Sequence, residues 1–125
     1  MRGSVLIVDD DAAIREILAE ALREEGYLVR SVDSCTGALS MLEQSRPSVI
    51  LLDLMMPILG GWQFLEIVKS NKNLSAIPIV IITASDQAPR EYKVLKKPFD
   101  LDQVLAVVLE ICGPAVQSAT PGLPG

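Results

Sequence analysis

Five side chains in this sequence have types and positions that could do chemistry together: Asp9, Asp10, Asp53, Thr83 and Lys97. Each stands at the end of a short run rich in apolar residues. Asp9 and Asp10 follow Val5 to Val8, Asp53 follows Val49 to Leu52, Thr83 follows Ile79 to Ile82, and Lys97 follows Lys93 to Lys96. If these runs are strands of an open parallel sheet, their C-terminal ends share one edge, where such sheets bind ligands at a topological switch point. A strand order of 2-1-3-4-5 would make the strands ending in Asp9, Asp53 and Thr83 neighbours. Three carboxylates drawn together repel one another unless a cation compensates them. The chain has no His and no closely spaced Cys pair, so the available ligands are oxygens and the expected metal is Mg2+, retaining several waters. Phosphoryl transfer needs a nucleophilic oxygen, a metal that bridges it to the phosphoryl group, and donors for the equatorial oxygens. Asp53 suits the first role, Asp10 with Asp9 the second, and the Thr83 hydroxyl with the Lys97 ammonium the third.

Taken singly, these residues have plainer readings. Asp9, Asp10 and Asp11 could cap the helix that follows, and for Asp11 capping is the expected role. Asp53 alone could end a strand in a turn, Thr83 alone is a good strand former, and Lys96 and Lys97 alone could be a solvated pair. The functional reading rests on all of them reaching one edge. Cys35 and Cys112 lie far apart without metal-ligand spacing and are expected to be small core or helix-face residues, not ligands or a disulfide.

The elements that must position these groups alternate between short Val/Ile-rich runs and longer segments of helical period, the mark of an α/β protein built from βαβ units. Ile14, Ile17, Leu18, Ala21 and Leu22 share one face of a first helix over about residues 12–25, with Gly26 as its stop. Residues 27–32 alternate as a second strand. Ser34 can cap a second helix bearing Ala38, Leu39 and Leu42, which Pro47 ends. Val49 to Leu52 is wholly apolar and reads as a buried central strand that delivers Asp53. A loop over residues 56–61 leads to a helix around Trp62 to Val68, and Pro78 introduces the strand that closes on Thr83. A last helix over about 101–111 is capped by Asp100 and stopped by Gly113 and Pro114.

In order along the chain, VLIVDDD at 5–11, VILLDLMMP at 49–57 with Gly61, IVIITAS at 79–85 and LKKPF at 95–99 resemble the receiver domains of two-component response regulators over about residues 4–112. The resemblance implies a three-layer, flavodoxin-like fold with a five-stranded parallel sheet in order 2-1-3-4-5. It implies an aspartyl phosphate at Asp53, formed from a histidine kinase or phosphotransfer protein and read by a downstream partner or effector domain. It further implies Mg2+ on Asp10, Asp53 and the backbone carbonyl of Met55, with Asp9 acting through water, and a cis peptide before Pro98.

One stretch departs from that pattern. Lys97 follows Thr83 by 14 residues, too few for two connections, a strand and a full intervening helix, and Pro89 interrupts the segment. The helix between the fourth and fifth strands is therefore expected to be shortened or absent. Many receivers carry an aromatic residue three positions before the lysine, where this chain has Val94; Tyr92 lies nearby, five positions before. The acceptor site looks intact and the readout altered.

The chain's 125 residues, half of them hydrophobic, suit one globular domain. Residues 1–113 are expected to form it, with the Pro- and Gly-rich residues 114–125 as a linker or disordered tail. A net charge of −5 with 11 scattered basic residues argues against direct nucleic-acid binding, and no apolar run is long enough to span a membrane. Met1 to Gly3 lead into a strand, not a signal peptide, so the expected setting is the cytoplasm. Two other readings stand beside the phosphoacceptor: an interaction module that keeps the fold without depending on phosphorylation, and a haloacid-dehalogenase-like phosphatase with Asp9 as nucleophile. The latter would need a further acidic motif and usually a longer chain.

Overall fold

The computed structural model describes residues 3–113. The expected linker or tail over 114–125 lies outside these residues. In chain order the elements are β1 (Ser4–Val8), α1 (Ala12–Glu24), β2 (Leu28–Val32), α2 (Cys35–Gln44), β3 (Val49–Leu52), α3 (Gly61–Ser70), β4 (Ile79–Thr83), β5 (Lys93–Lys96) and α4 (Leu101–Cys112). All strand pairs are parallel, and the sheet order is β2-β1-β3-β4-β5, a flavodoxin-like α/β arrangement.

Side chains alternate across a strand, so a strand buried on both faces can be apolar throughout. Val5 and Ile7 of β1, Val49 and Leu51 of β3, and Val80 and Ile82 of β4 pack with Leu18 and Leu22 of α1 and Val104 and Val108 of α4. Leu6, Val8, Ile50, Leu52, Ile79 and Ile81 face the other way, against Ala38 and Leu42 of α2 and Phe64 and Val68 of α3. Leu18 and Leu22 of α1 and Ala38 and Leu42 of α2 lie on the faces expected from the sequence, but Ile17, expected on the core face of α1, is half exposed, and Ala19 is buried instead.

The helix starts follow from side-chain oxygens that accept otherwise unpaired amides. Asp11 accepts from Ala13 N at 2.9 Å and Ile14 N at 3.3 Å, Ser34 from Gly37 N at 3.0 Å, and Asp100 from Asp102 N at 2.9 Å. Gly26, at φ +96°, turns the chain after α1 into β2.

Parallel strands are usually joined by a dozen or more residues including a helix. Between β4 and β5 residues 84–92 make the connection alone, with no helix and only a tight turn from Pro89 to Tyr92. Returning along a four-residue strand spans ~13 Å, and nine residues can reach ~30 Å, so the shortened crossover closes. Ala88, Tyr92 and Val94 pack on the face covered by α2 and α3. The helix missing from the sequence spacing is missing from the fold.

Candidate functional site

The register carries the polar residues to one edge. β1 pairs with β3 from Val5↔Val49 to Val8↔Leu52, and β3 with β4 up to Leu52↔Ile81, so Asp9 and Asp53 leave adjacent strands side by side with Thr83 beyond them. The backbone holds them there: Asp53 N donates to Val8 O at 3.0 Å, Asp9 N to Val32 O at 3.2 Å, and Lys97 N to Thr83 O at 2.9 Å.

Asp9, Asp53 and Thr83 are the buried polar side chains among the described residues, at 3%, 5% and 0% exposure. Buried carboxylates need partners. Lys97 supplies one charge to both, its Nζ lying 2.8 Å from Asp9 Oδ2 and 3.1 Å from Asp53 Oδ2. The other oxygens take backbone amides: Asp9 Oδ1 accepts from Asp11 N at 2.9 Å, and Asp53 Oδ1 from Met55 N at 3.0 Å. Burial acts to lower the Lys97 ammonium, but hydrogen bonds and charge from Asp9 and Asp53 outweigh it and hold Lys97 above the usual lysine value. The lysine is thus fully charged at neutral pH. Its peptide bond to Pro98 is cis.

Asp10 is exposed at the rim, and carboxylate oxygens of Asp9, Asp10 and Asp53 lie within 4.8 Å of one another. An all-oxygen set at this spacing suits a hard divalent cation. Asp11 stays out of the cluster, committed to its cap. Thr83 Oγ1 accepts from Ser85 N at 3.2 Å, which leaves the hydroxyl proton available.

Some features were not read from the sequence. Arg15, on the polar side of α1, reaches back to donate to Asp9 O at 2.8 Å and steadies the first loop. Lys96 pairs with Asp86 of the crossover instead of standing free. Cys35, by contrast, is the small core residue expected from the sequence, buried at the first position of α2; desolvation and then the Asp53 charge push its thiol up to about 11, so it stays protonated. Met56 is buried, whereas Met55 and Trp62 are exposed and do not fill the core.

The loop after Asp53 also holds Ile58 at φ +67° with its side chain 99% exposed. A β-branched residue is strained in this left-handed region, and the exposed side chain makes no compensating contact. Ile58→Gly is expected to stabilise the fold by about 1 kcal/mol, since relief of strain exceeds the entropy glycine gains on unfolding. A higher urea midpoint at unchanged slope would show this; an unchanged or lower midpoint would contradict the strain.

The profile of the response regulator receiver domain matches residues 5–109. The chain is 36% identical over 115 residues to the DNA-binding transcriptional regulator NtrC of Proteus hauseri, covering 86% of this chain and 24% of that protein. It is 38% identical over 84 residues to the DNA-binding response regulator MtrA of Mycobacterium tuberculosis, covering 67% of this chain and 36% of that one. The chain thus spans about a quarter and about a third of these two relatives. Among solved structures, a CheY-like response regulator receiver domain protein from Methanospirillum hungatei superposes with a TM-score of 0.80 at 31% identity, over 90% of this chain and 96% of that one. The chemotaxis response regulator CheY4 of Vibrio cholerae gives 0.79 at 26% identity, over 89% and 99%. A family match along nearly the whole described chain, on a fold shared with solved receivers, makes this chain a response regulator receiver domain, in a form that lacks the helix between β4 and β5.

Proposed function

We propose that the chain is a phosphoacceptor switch of two-component signalling that takes a phosphoryl group on Asp53 from a histidine kinase or phosphotransfer protein. The observation that carries this reading is the buried Asp53 carboxylate, fixed between the Met55 amide and the Lys97 ammonium, with Asp9 and Asp10 beside it.

An Asp53 oxygen attacks the donor phosphorus, forming a P–O bond as the donor's P–N bond breaks. The electron pair of that bond stays on the donor imidazole nitrogen. The product is an acyl phosphate, and water attacking its phosphorus returns inorganic phosphate and the free carboxylate. Lys97, already on Asp53 Oδ2, and the Thr83 hydroxyl are the donors that would meet the new phosphoryl oxygens. Asp9, Asp10, Asp53 and the Met55 carbonyl would hold Mg2+, which neutralises charge on the attacking and transferred oxygens when bound. The domain is regulatory: its only chemistry is its own phosphorylation and slow dephosphorylation.

The described residues 3–113 are the receiver, and its output would go to a partner or an effector domain. The DNA-binding relatives are longer than their receiver match, and the −5 charge here does not suit direct nucleic-acid contact. No helix among the described residues is long and apolar enough to cross a membrane, and the free Cys35 and Cys112 suit a reducing cytoplasm. With Asp11 used as a cap, the phosphatase arrangement built on Asp9-x-Asp11 has less support.

With a small acyl phosphate and Mg2+, the chain should gain a phosphoryl group that neutral hydroxylamine removes and a chelator prevents. An adduct resistant to hydroxylamine would be an ester on a hydroxyl residue and would rule out the aspartyl phosphate.

A further inference from the structure

At the end of the sheet opposite Asp53, where β1, β2 and β3 begin, a cavity of about 360 Å³ opens between the edge strand β2 and the C-terminal end of α2. Leu28 and Arg30 pair with Ser4 and Leu6 in the parallel register, so their side chains stand on the sheet face that α2 covers. But α2 stops at Gln44, and the chain turns through Ser45, Arg46 and Pro47 into β3 without closing over them. Leu28 is left half exposed.

The wall of this cavity divides by chemistry. Val5, Leu6, Leu28, Met41 and Pro47 give it an apolar floor, and its polar side chains are arginines and serines. Among the described residues no carboxylate lines it, although the chain holds 16 acidic residues against 11 basic ones. Nor does either guanidinium have an ion pair among the described residues: Arg30 donates only to Met41 Sδ at 3.9 Å, and the Arg46 side chain is exposed without a partner. Ser4 N donates to Ser48 Oγ at 3.1 Å and Ser48 N to Ser4 Oγ at 3.3 Å. Each hydroxyl therefore accepts from an amide and keeps its own proton to donate. The polar side of the cavity is a set of donors.

A donor-rich wall beside an apolar floor suits an anion with an apolar body, and the volume lies in the range of small-molecule sites. Guanidinium forks match a planar carboxylate. The carbonyls that end α2 carry partial negative charge toward the same space, which favours one charge over the two of a phosphate ester. An added peptide strand is a poorer fit. Leu28 N bonds to Gly3 O, so Val29 faces away from β1, and its carbonyl already accepts from Arg23 Nη2 at 2.9 Å.

We propose that this cavity binds a small amphipathic monocarboxylate, its carboxylate held by Arg30 and Arg46 and its apolar body laid over Leu28, Met41 and Pro47. The whole length of β1, ~17 Å, separates the cavity from Asp9. Binding there is independent of whether Asp53 takes a phosphoryl group.

The test titrates the whole chain with decanoate, kept below its micellar concentration, by calorimetry and by backbone amide NMR shifts. One decanoate should bind per chain, saturably, with shifts at Leu28, Met41 and Ser48 and none at Asp53, Thr83 or Lys97. Arg30→Gln and Arg46→Gln, both at exposed positions, should each weaken binding about tenfold, the effect of losing one charge-assisted hydrogen bond. Decanol, with the same body and no charge, should bind more weakly by at least about tenfold, and inorganic phosphate should not displace decanoate. No saturable binding, shifts confined to the Asp53 edge, or affinity unchanged in both arginine variants would overturn the site. Decanol binding as tightly as decanoate, or ready displacement by phosphate, would overturn the amphipathic carboxylate as its ligand.

Discussion

Gly61→Ala is expected to destabilise the domain by about 3 kcal/mol, at the upper end of what overpacking a closed interior does. A Cβ on Gly61 would lie 2.5 Å from Leu54 Cα, 2.9 Å from Leu54 Cδ2 and 3.0 Å from Asp53 O. Two of those atoms are backbone and cannot swing aside. Gly61 is the first residue of α3, and its amide donates to Leu54 O at 3.2 Å, so the helix start and the chain leaving Asp53 are held backbone to backbone. Relief would require α3 to move outward, opening the packing around Phe64, or the segment after Asp53 to shift. The site would suffer with the fold, and phosphoryl incorporation should slow. Gly60→Ala is the control: its added carbon would find nothing nearer than 3.8 Å, and stability should change by less than about 0.5 kcal/mol. Urea unfolding of the two variants checks the contrast. Equal midpoints would mean that α3 does not sit against Leu54 as described.

Lys97→Met should lower stability by about 3 kcal/mol when Mg2+ is absent, because it leaves two buried carboxylates adjacent with no charge between them. Asp9 and Asp53 each place an oxygen within 3.1 Å of the ammonium, and Lys97 itself is mostly buried, so solvent does little to screen the loss. Two consequences separate this effect from a simple packing change. Adding Asp9→Asn to Lys97→Met should recover part of the loss, giving a clear coupling between the two positions. Mg2+ should stabilise Lys97→Met more than the parent, since the cation then fills a charge deficit as well as binding. Chemical unfolding of the single and double variants, with and without Mg2+, measures both. A loss below about 1 kcal/mol, or one unaffected by either treatment, would show that the lysine is not what offsets these carboxylates.

The part of the site that can be read from sequence is the part set by local pattern. Continuous apolar runs such as Val49 to Leu52 can only be satisfied in a strand covered on both faces, and a carboxylate directly after one must emerge at the sheet edge. Caps are equally local, which is why Asp11, Ser34 and Asp100 begin helices where their spacing says. The missing helix is legible for a related reason: a chain length between two anchored strands is a hard limit. What spacing does not convey is where a freed segment lies. That Ala88 and Tyr92 cover the α3 face follows from long-range packing, as does the pairing of Lys96 with Asp86. The bend after Pro57 is a further case. Gly60 and Gly61 are the obvious residues for a left-handed turn, yet Gly60 sits at φ −77° and Ile58 takes the strained conformation, because α3 must start at Gly61 against Leu54. Arg15 belongs to the polar face of α1 by period and still returns to Asp9 O, since its long side chain can reach around the first turn.

The most direct measurement is intact-protein mass after incubation with a small acyl phosphate and Mg2+, made on the parent chain and on Asp53→Asn. The parent should gain one phosphoryl group and Asp53→Asn none, although it keeps a side chain of the same shape in the same place. An adduct of equal yield on Asp53→Asn, or none on a folded parent chain, would contradict Asp53 as the acceptor.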